Sequence, residues 1–333
     1  MNKTDPILIA TRGSALALAQ ANRVLELCQR AFPELKFELK IIKTTGDKLQ
    51  TASLAQQGSS LPKGLFTKEL EVALLNQQAD LAVHSLKDLP TELPEGLRLG
   101  AVDQRADVRD VLIYRAVSNS TALAVSSGQS VRRGFKPGLG VEQLPAGAVV
   151  ATSSTRRRAQ LLAQNPNLKV PDIRGNVLTR MVRLAERAEL DATVLALAGI
   201  TRLKFRISPE GRLEGEGVPG GLLATVLDLE VMLPCPGQGA VGLEIRANDK
   251  RATAICTRLN HAPTFQCVTA ERSFLAGMGG GCQSPVAAHA ETVGEQLRLR
   301  AVSFANGPAR RGQAMRRIAE ARELGQQLAA ELK

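Results

Sequence analysis

The sequence is poor in aromatic residues, with no tryptophan, one tyrosine and an aromatic content of 3% over 333 residues. Proteins that hold single-stranded nucleic acid stack the bases on aromatic side chains, so that mode of binding is nearly excluded. Only three histidines are present, and none of the five cysteines forms a Cys-x-x-Cys pair. These counts and spacings predict no zinc site and no other metal site.

Long apolar runs are also missing. No stretch approaches the roughly 20 apolar residues that span a bilayer, so we expect no membrane contact. The N-terminus has four consecutive apolar residues, Ile7–Ala10, before Thr11, too few for the core of a signal peptide. Scattered cysteines of odd number are typical of reduced thiols. We therefore expect a cytoplasmic protein.

Positive charge is what the chain has in excess. It carries 43 lysines and arginines against 32 acidic residues, for a formal net charge of +11 and a pI of about 9.8. This surplus implies anionic partners. Basic helices that contact only the phosphates of nucleic acid are one alternative, but they would account for the charge alone. Small polyanions fit at least as well.

One order of elements occurs twice in the sequence. Each copy begins with a strand, a turn bearing hydroxyl groups, a helix and a second strand. The first copy comprises Ile7–Ala10, Thr11–Ser14, Ala15–Ala31 and Leu35–Lys43, and the second comprises a strand at Val149, Thr152–Ser154, Thr155–Gln164 and a strand at Leu168. Both copies continue with a helix and a third strand, namely Thr67–Ala79 with Asp80–Leu86, and Asn176–Leu190 with Asp191–Ala198.

The repeat predicts two similar α/β domains with mostly parallel sheets around a cleft, an architecture like that of periplasmic binding proteins. Helix N-termini that point into such a cleft bind anions. Ser14 and Ser154 stand at matched helix starts, and each has arginine nearby. A single serine at such a position is usually an ordinary helix cap, but the matched pair favours anion binding.

Three other segments complete the predicted organisation. From about His261 the chain predicts a small α+β domain, with a helix over Phe265–Leu275, two strands and a final helix. Ser118–Gly140 is rich in serine, glycine and alanine and predicts a surface excursion. The polar segment Lys48–Lys63 predicts either a lid beside the cleft or an ordinary loop.

Two short stretches carry residues suited to chemistry. Ser85, Lys87 and Asp88 follow a predicted buried strand, and ligands of α/β sheets bind at the carboxyl ends of strands. The ordinary alternative is that Asp88 caps a turn. Cys282 lies in a glycine-rich loop, where a thiol can meet a large group by attack or attachment, although structural cysteines are more common. Arg174, next to Gly175, suits bidentate recognition of carboxylates.

Ordered motifs from Ile7 to about Leu328 resemble the porphobilinogen deaminase family, also called hydroxymethylbilane synthases. They are Ala10–Ser14, Thr45–Asp47, Lys63–Glu71, His84–Pro90, Thr152–Arg157, Arg174–Asn176, Gly237–Ala240 and Gly280–Cys282. The resemblance implies an enzyme that condenses four porphobilinogen molecules head to tail into hydroxymethylbilane, with release of ammonia at each addition. It also implies a dipyrromethane cofactor in thioether linkage to Cys282.

The resemblance assigns roles to individual residues. Asp88 is the implied catalytic carboxylate, together with Lys87, Arg12 and Arg156. The implied cofactor-binding residues are Ser85, Lys87, Asp88, Ser154, Arg156, Arg157, Arg174 and Gly175. The implied substrate-binding residues are Arg12, Ser14, Gln20, Lys63, Arg157, Arg180, Arg202 and Gln238. A fixed carboxylate would stabilise the cation that forms when ammonia leaves, and the arginines would offset the carboxylates of the growing chain.

The family pattern also implies a domain division. Residues 1–103 with 240–257 form domain 1, residues 109–233 form domain 2 with an insertion at 118–140, and residues 262–333 form domain 3. We expect a monomer that hands its product to the next enzyme of tetrapyrrole biosynthesis. The alternative from another class is a non-catalytic polyanion-binding protein of twin-domain architecture, which accounts for the repeat and the arginines but not for Asp88 or the Cys282 loop.

Overall fold

The computed structural model describes residues 5–45, 67–117, 133–281 and 284–333. The predictions for the 48–63 segment, for Lys63 and for Cys282 fall outside these residues. Within them, strands form three main sheets and one two-stranded ribbon, with helices packed on the sheets. No described helix combines the length and apolarity that crossing a membrane requires.

The first sheet contains β1 (Ile7–Arg12), β2 (Phe37–Ile42), β3 (Leu81–Ser85), β4 (Leu97–Val102) and β11 (Val241–Arg246). Their spatial order is β2-β1-β3-β11-β4. Strand β1 pairs in parallel with β2 and β3, whereas β11 runs antiparallel to β3 and β4. One face packs against helices α1 (Ala15–Ala31) and α6 (Lys250–Leu259), and the other against α2 (Lys68–Leu75).

The second sheet contains β5 (Asp110–Arg115), β6 (Val150–Ala151), β7 (Ala192–Ala196) and β10 (Leu222–Val226), in the order β10-β5-β7-β6. Strands β6 and β7 are parallel, and β5 is antiparallel to both of its neighbours. Its helices are α3 (Thr155–Gln164), α4 (Val177–Glu186) and α5 (Leu197–Arg202). The ribbon of β8 (Arg206–Ile207) and β9 (Leu213–Glu214) lies between α5 and β10 in the chain.

The α/β prediction is confirmed, and the strand directions refine it. In each of these two sheets one described strand runs against the others, β11 in the first and β5 in the second. The chain enters β5 directly from β4 of the first sheet and enters β11 from β10 of the second. The opposing strand in each sheet is therefore the one that arrives from the other sheet.

A pair of matched hydrogen bonds shows that the two copies of the repeat share their local structure. The Leu8 amide donates to Asp80 Oδ2 at 2.9 Å, and the Val149 amide donates to Asp191 Oδ2 at 2.8 Å. In each copy the aspartate before the third strand accepts a bond from the region where the first strand begins. Ser14 and Ser154 also cap their helices in the same way, accepting from the Ala17 and Arg157 amides.

The third sheet consists of three antiparallel strands, β12 (Val286–Val293), β13 (Gln296–Ser303) and β14 (Arg310–Arg317). Helices α7 (Ala262–Gly277) and α8 (Ala321–Leu332) cover one face with a core of alanine, leucine and phenylalanine side chains. The predicted small α+β region is present, with one strand more than the two predicted.

A buried carboxylate on α7 joins this third region to both connections between the first two sheets. Glu271 is fully buried and accepts two bonds from the Arg105 guanidinium, at 2.7 and 2.8 Å. It also accepts from the Gly237 amide at 2.7 Å and from the Ala290 amide at 2.8 Å. Arg105 belongs to the first connection and Gly237 to the second, so one side chain holds both.

The described part of the predicted surface excursion over Ser118–Gly140, residues 133–140, is mostly exposed or half-buried but is anchored on the second sheet. The Phe135 ring packs edge-on against Tyr114 with a centroid separation of 6.1 Å, and Leu139 lies in the core of the second sheet. The Leu139 amide donates to the Tyr114 hydroxyl at 3.1 Å. Apolar residues spaced four apart thus anchor this segment despite its polar composition.

Candidate functional site

A pocket lies where β1 and β3 end and α1 begins. Its lining includes five residues predicted for the site, namely Arg12, Ser14, Gln20, Ser85 and Asp88. Parallel strands place their carboxyl ends at one edge of the sheet, which is why residues more than 70 positions apart meet there. The pocket also contains Thr67 and His84.

Ser85 and Gln20 hold each other in place at this pocket. Gln20 Nε2 donates to the Ser85 hydroxyl at 3.0 Å, and the Ser85 hydroxyl donates to Gln20 Oε1 at 3.0 Å. Gln20 is buried, whereas Ser85 and Asp88 are half-buried. The short helical turn Leu86–Asp88 follows β3 directly, so the position of Asp88 is fixed by the end of that strand.

Two cations share the electrostatic environment of Asp88. Burial lowers the pKa of Lys87, and the positive charge of Arg157 lowers it further, while Asp88 acts in the opposite direction. Burial and the same Arg157 charge lower the pKa of Arg180 to about 10, again opposed by Asp88. Lys87 follows β3 of the first sheet, and Arg180 lies on α4 of the second. The cationic groups of the two lobes therefore converge on one carboxylate.

Arg156 and Arg157, two residues predicted to bind ligand, lie in the protein interior. Both guanidinium groups are buried and share Asp110, with distances of 2.8 Å from Arg156 Nη2 to Oδ2 and 2.7 Å from Arg157 Nη2 to Oδ1. Each also donates to a backbone carbonyl, Arg156 to Leu233 and Arg157 to Val194. The roles of Arg156 and Arg157 in ligand binding stay predictions. A ligand carboxylate that approached either residue would find its guanidinium group already paired with Asp110.

Gln238 belongs to the same buried cluster. Its side-chain amide donates to Asp110 Oδ1 at 3.0 Å and to the Val108 carbonyl at 2.7 Å. Burial would raise the pKa of Asp110, but Arg156 and Arg157 outweigh it and hold that pKa well below its usual range. Asp110 is thus an anion at neutral pH, and it holds two arginines and the connection bearing Gln238.

The remaining predicted residues lie at helix ends around the cleft. Arg180 Nε donates to the Gly175 carbonyl at 2.8 Å, and Arg202 Nη2 donates to the Gly239 carbonyl at 2.7 Å. Arg174 is exposed just before α4. Gly175 has φ +109°, a conformation that favours glycine, and a Cβ there would lie 2.7 Å from a Thr179 methyl group.

Sequence reasoning missed Asp110 and the pair formed by His84 and Glu244. A signal existed for each, because a charged residue inside an apolar strand needs a buried partner. Asp110 opens the apolar strand β5, and Glu244 lies in the middle of β11. The partners could not be identified without the structure, since they are 46 or more positions away.

These residues suit a ligand with several carboxylates. Lys87 and Arg180 are cations in a desolvated site, and Ser14 and Ser154 cap two helices whose N-termini favour anions. A bound carboxylate would offset the repulsion from Arg157 that lowers both pKa values. A two-lobed α/β protein with cations from both lobes near one pocket has the arrangement of a polyanion-binding protein, and Asp88 lies among these cations.

Comparison with known proteins identifies the family. Residues 7–254 match the model for the porphobilinogen deaminase dipyrromethane cofactor-binding domain, and residues 265–333 match the model for the C-terminal domain of the same family. The chain belongs to the porphobilinogen deaminase family and is an enzyme. The predicted family and cofactor are confirmed, and the non-catalytic alternative is not supported.

Relatives match over most of their length. The porphobilinogen deaminase of Thermus thermophilus is 41% identical over 98% of this chain and 95% of its own. That of Desulforudis audaxviator is 44% identical over 85% of this chain and 79% of its own. Among solved structures, the sulfate-bound regulatory domain of an OxyR2 variant from Vibrio vulnificus gives a TM-score of 0.39 at 14% identity, covering 78% of this chain and 98% of that one. The family assignment does not depend on it.

Proposed function

We propose that this chain condenses four porphobilinogen molecules head to tail into hydroxymethylbilane, releasing ammonia at each addition, with Asp88 as the catalytic carboxylate. One observation carries the proposal. Asp88 lies in a pocket with Arg12 and Ser14, and its charge acts on Lys87 from the first lobe and on Arg180 from the second. Each substrate ring brings two carboxylates, which these cations would hold.

The chemistry required of Asp88 is electrostatic stabilisation and proton handling. When the aminomethyl C–N bond breaks, ammonia leaves with the electron pair and a cation spreads over the pyrrole ring. A fixed carboxylate stabilises this cation where it develops and accepts a proton from a ring position. An asparagine at position 88 would keep the shape but lose both abilities.

The cofactor site in our proposal extends from the pocket to the C-terminal region. When bound, dipyrromethane supplies the free ring carbon that primes the first addition. Cys282 would form the thioether, and the side chains that would hold the cofactor carboxylates directly are those of Lys87, Ser154 and Arg174. Arg156, Arg157 and Gln238 are bound to Asp110 in the structure, so they would act on the cofactor through their charge and through the position of that cluster.

The organisation that we propose follows the sheets. Residues 1–103 with 240–257, residues 109–233 and residues 262–333 would form three domains, each with one of the main sheets. We further propose a cytoplasmic monomer that passes its product to the next enzyme of tetrapyrrole biosynthesis. Size-exclusion chromatography with light scattering measures the oligomeric state, and a dimer would contradict this part of the proposal.

Intact-mass measurement tests attachment and reaction class together. The purified protein should be heavier than its sequence by one dipyrromethane, and Cys282→Ser should lose the added mass. Cys235→Ser is the matched control, because the Cys235 thiol interacts with the charges of Lys87 and Asp88 and has its pKa raised by burial. If the Cys235 variant loses the added mass instead, the cofactor is attached to Cys235 and the proposed attachment to Cys282 is wrong.

The role of Asp88 is tested separately by Asp88→Asn. We expect a folded protein whose turnover of porphobilinogen falls by about 100-fold or more. Turnover close to that of the parent enzyme would refute the proposed role.

A further inference from the structure

A buried histidine and glutamate lie beside the Asp88 pocket. His84 is on β3, four residues before Asp88, and it contributes to the lining of the pocket. Its Nε2 lies 2.9 Å from Glu244 Oε2 on the neighbouring strand β11. The side chains are 4% and 0% exposed, respectively, so the pair is almost completely removed from bulk water.

A second glutamate extends this pair into the interior. Glu71 on α2 is also buried, and its pKa is raised by burial and by the nearby Glu244 charge, while His84 and a bond from Thr67 oppose that rise. Among the described residues, Glu71 Oε1 and Glu244 Oε1 have no hydrogen-bond partner. Unpartnered buried carboxylate oxygens are costly, and they mark places where a proton can be held.

Charged groups near His84 come from several elements. Glu71 lies on α2 and Glu244 on β11, while Asp88 and Arg12 line the same pocket. The cations Lys87 and Arg180 act on Asp88 in turn. Glu244 is the carboxylate hydrogen-bonded to the imidazole, so an imidazolium at position 84 would form beside a negative charge.

We propose that His84 is a proton-transfer residue of the condensation, oriented by Glu244, and that it removes from the Asp88 pocket the proton released at each addition. In each cycle the C–N bond of the incoming molecule breaks, the new C–C bond forms, and the ring carbon loses a proton to Asp88. His84 takes that proton from Asp88, and the ammonia that leaves carries it away as ammonium. Asp88 is then an anion again for the next addition.

This inference rests on the proposed catalytic role of Asp88. A purely structural His84–Glu244 pair is the competing explanation, because a hydrogen-bonded buried pair also joins two strands. The two explanations differ in what happens to the pH dependence of the reaction. A structural pair affects stability, whereas a proton-transfer pair sets the pH at which turnover falls off on the acid side.

The test compares variants of the cofactor-loaded enzyme. His84→Gln keeps a donor for Glu244 but cannot carry a proton, and we expect kcat to fall by about 100-fold with KM unchanged. In Glu244→Gln the imidazolium loses its counter-ion, so the acid limb of the kcat profile should move to lower pH. His289→Gln is the matched control, a buried histidine in the third sheet, and it should behave like the parent enzyme.

Two results would overturn the proposal. One is a His84→Gln enzyme that turns over like the His289→Gln control, and the other is a Glu244→Gln enzyme with the parental pH profile. The Glu244→Gln profile decides the matter if His84→Gln does not fold. Failure of the proposed function itself is distinguishable, because it would appear as normal turnover in Asp88→Asn.

Discussion

Replacing Asp110 with asparagine tests the electrostatic centre of the second lobe. Asp110 is fully buried, and its carboxylate lies 2.8 Å from Arg156 and 2.7 Å from Arg157. Asparagine keeps the shape and one acceptor oxygen but leaves two buried guanidinium groups without a counter-ion. Breaking a buried ion pair from one side costs about 3 to 5 kcal/mol, so we expect a loss of that size in the free energy of unfolding.

The pH dependence follows from the sign of the shift. The arginines hold the pKa of Asp110 in the folded state well below its value in the unfolded chain, about 3.9. The contribution is therefore complete above the unfolded value and is lost as the pH falls toward the folded one. The difference in stability between the parent protein and Asp110→Asn should be constant near neutral pH and shrink only in acid.

Urea unfolding measured by tyrosine fluorescence suits this test. Tyr114 is the single tyrosine of the chain and lies on the same strand as Asp110. The matched control is Asp172→Asn, which removes an exposed partner of Arg158. Exposed pairs contribute about 0.2 to 1 kcal/mol, so the control should barely move the transition. If both variants lose the same small amount, the argument for a buried charge centre is refuted.

Two further substitutions test the connections and the start of α4. Glu271→Gln removes the charge that binds Arg105, and it should lower the free energy of unfolding in urea by about 3 to 5 kcal/mol. Its control is Glu291→Gln, at the half-exposed pair with Arg298, which should lower it by about 1 kcal/mol or less. Equal losses would contradict a stabilising role for the buried Glu271 carboxylate. Gly175→Ala places a Cβ 2.7 Å from a Thr179 carbon at φ +109°, and we expect about 1 to 3 kcal/mol of destabilisation, measured by thermal unfolding monitored by circular dichroism. Gly138→Ala is its control, since Gly138 also has positive φ but a Cβ there would meet no atom within 4 Å. If Gly175→Ala destabilises the protein less than Gly138→Ala does, the clash with Thr179 is refuted.

The elements that sequence reasoning predicted well are those set by local signals. The predicted bounds of the helices Ala15–Ala31 and Thr155–Gln164 agree with the structure. Each helix begins after a capping serine, and the residue that follows it, Phe32 in the first and Asn165 in the second, has a non-helical backbone conformation. Strand Arg310–Arg317 was missed because its sequence is mainly polar and basic. Pairing with β13 and cover from α8 stabilise it, and neither contact is visible in the segment itself.

The same distinction applies to the site. Ser85 and Asp88 were found because a strand end with polar residues is a local pattern, and the structure brings them together with Arg12 and Gln20. The burial of Arg156 and Arg157 could not be predicted, because it depends on Asp110 at the start of a strand from another part of the chain.

The position of Glu271 has a mechanical consequence for the whole molecule. Its carboxylate ties both inter-lobe connections to α7 and to β12 of the third sheet. A movement of either connection would therefore have to carry the third region along or break the hydrogen bonds to Glu271.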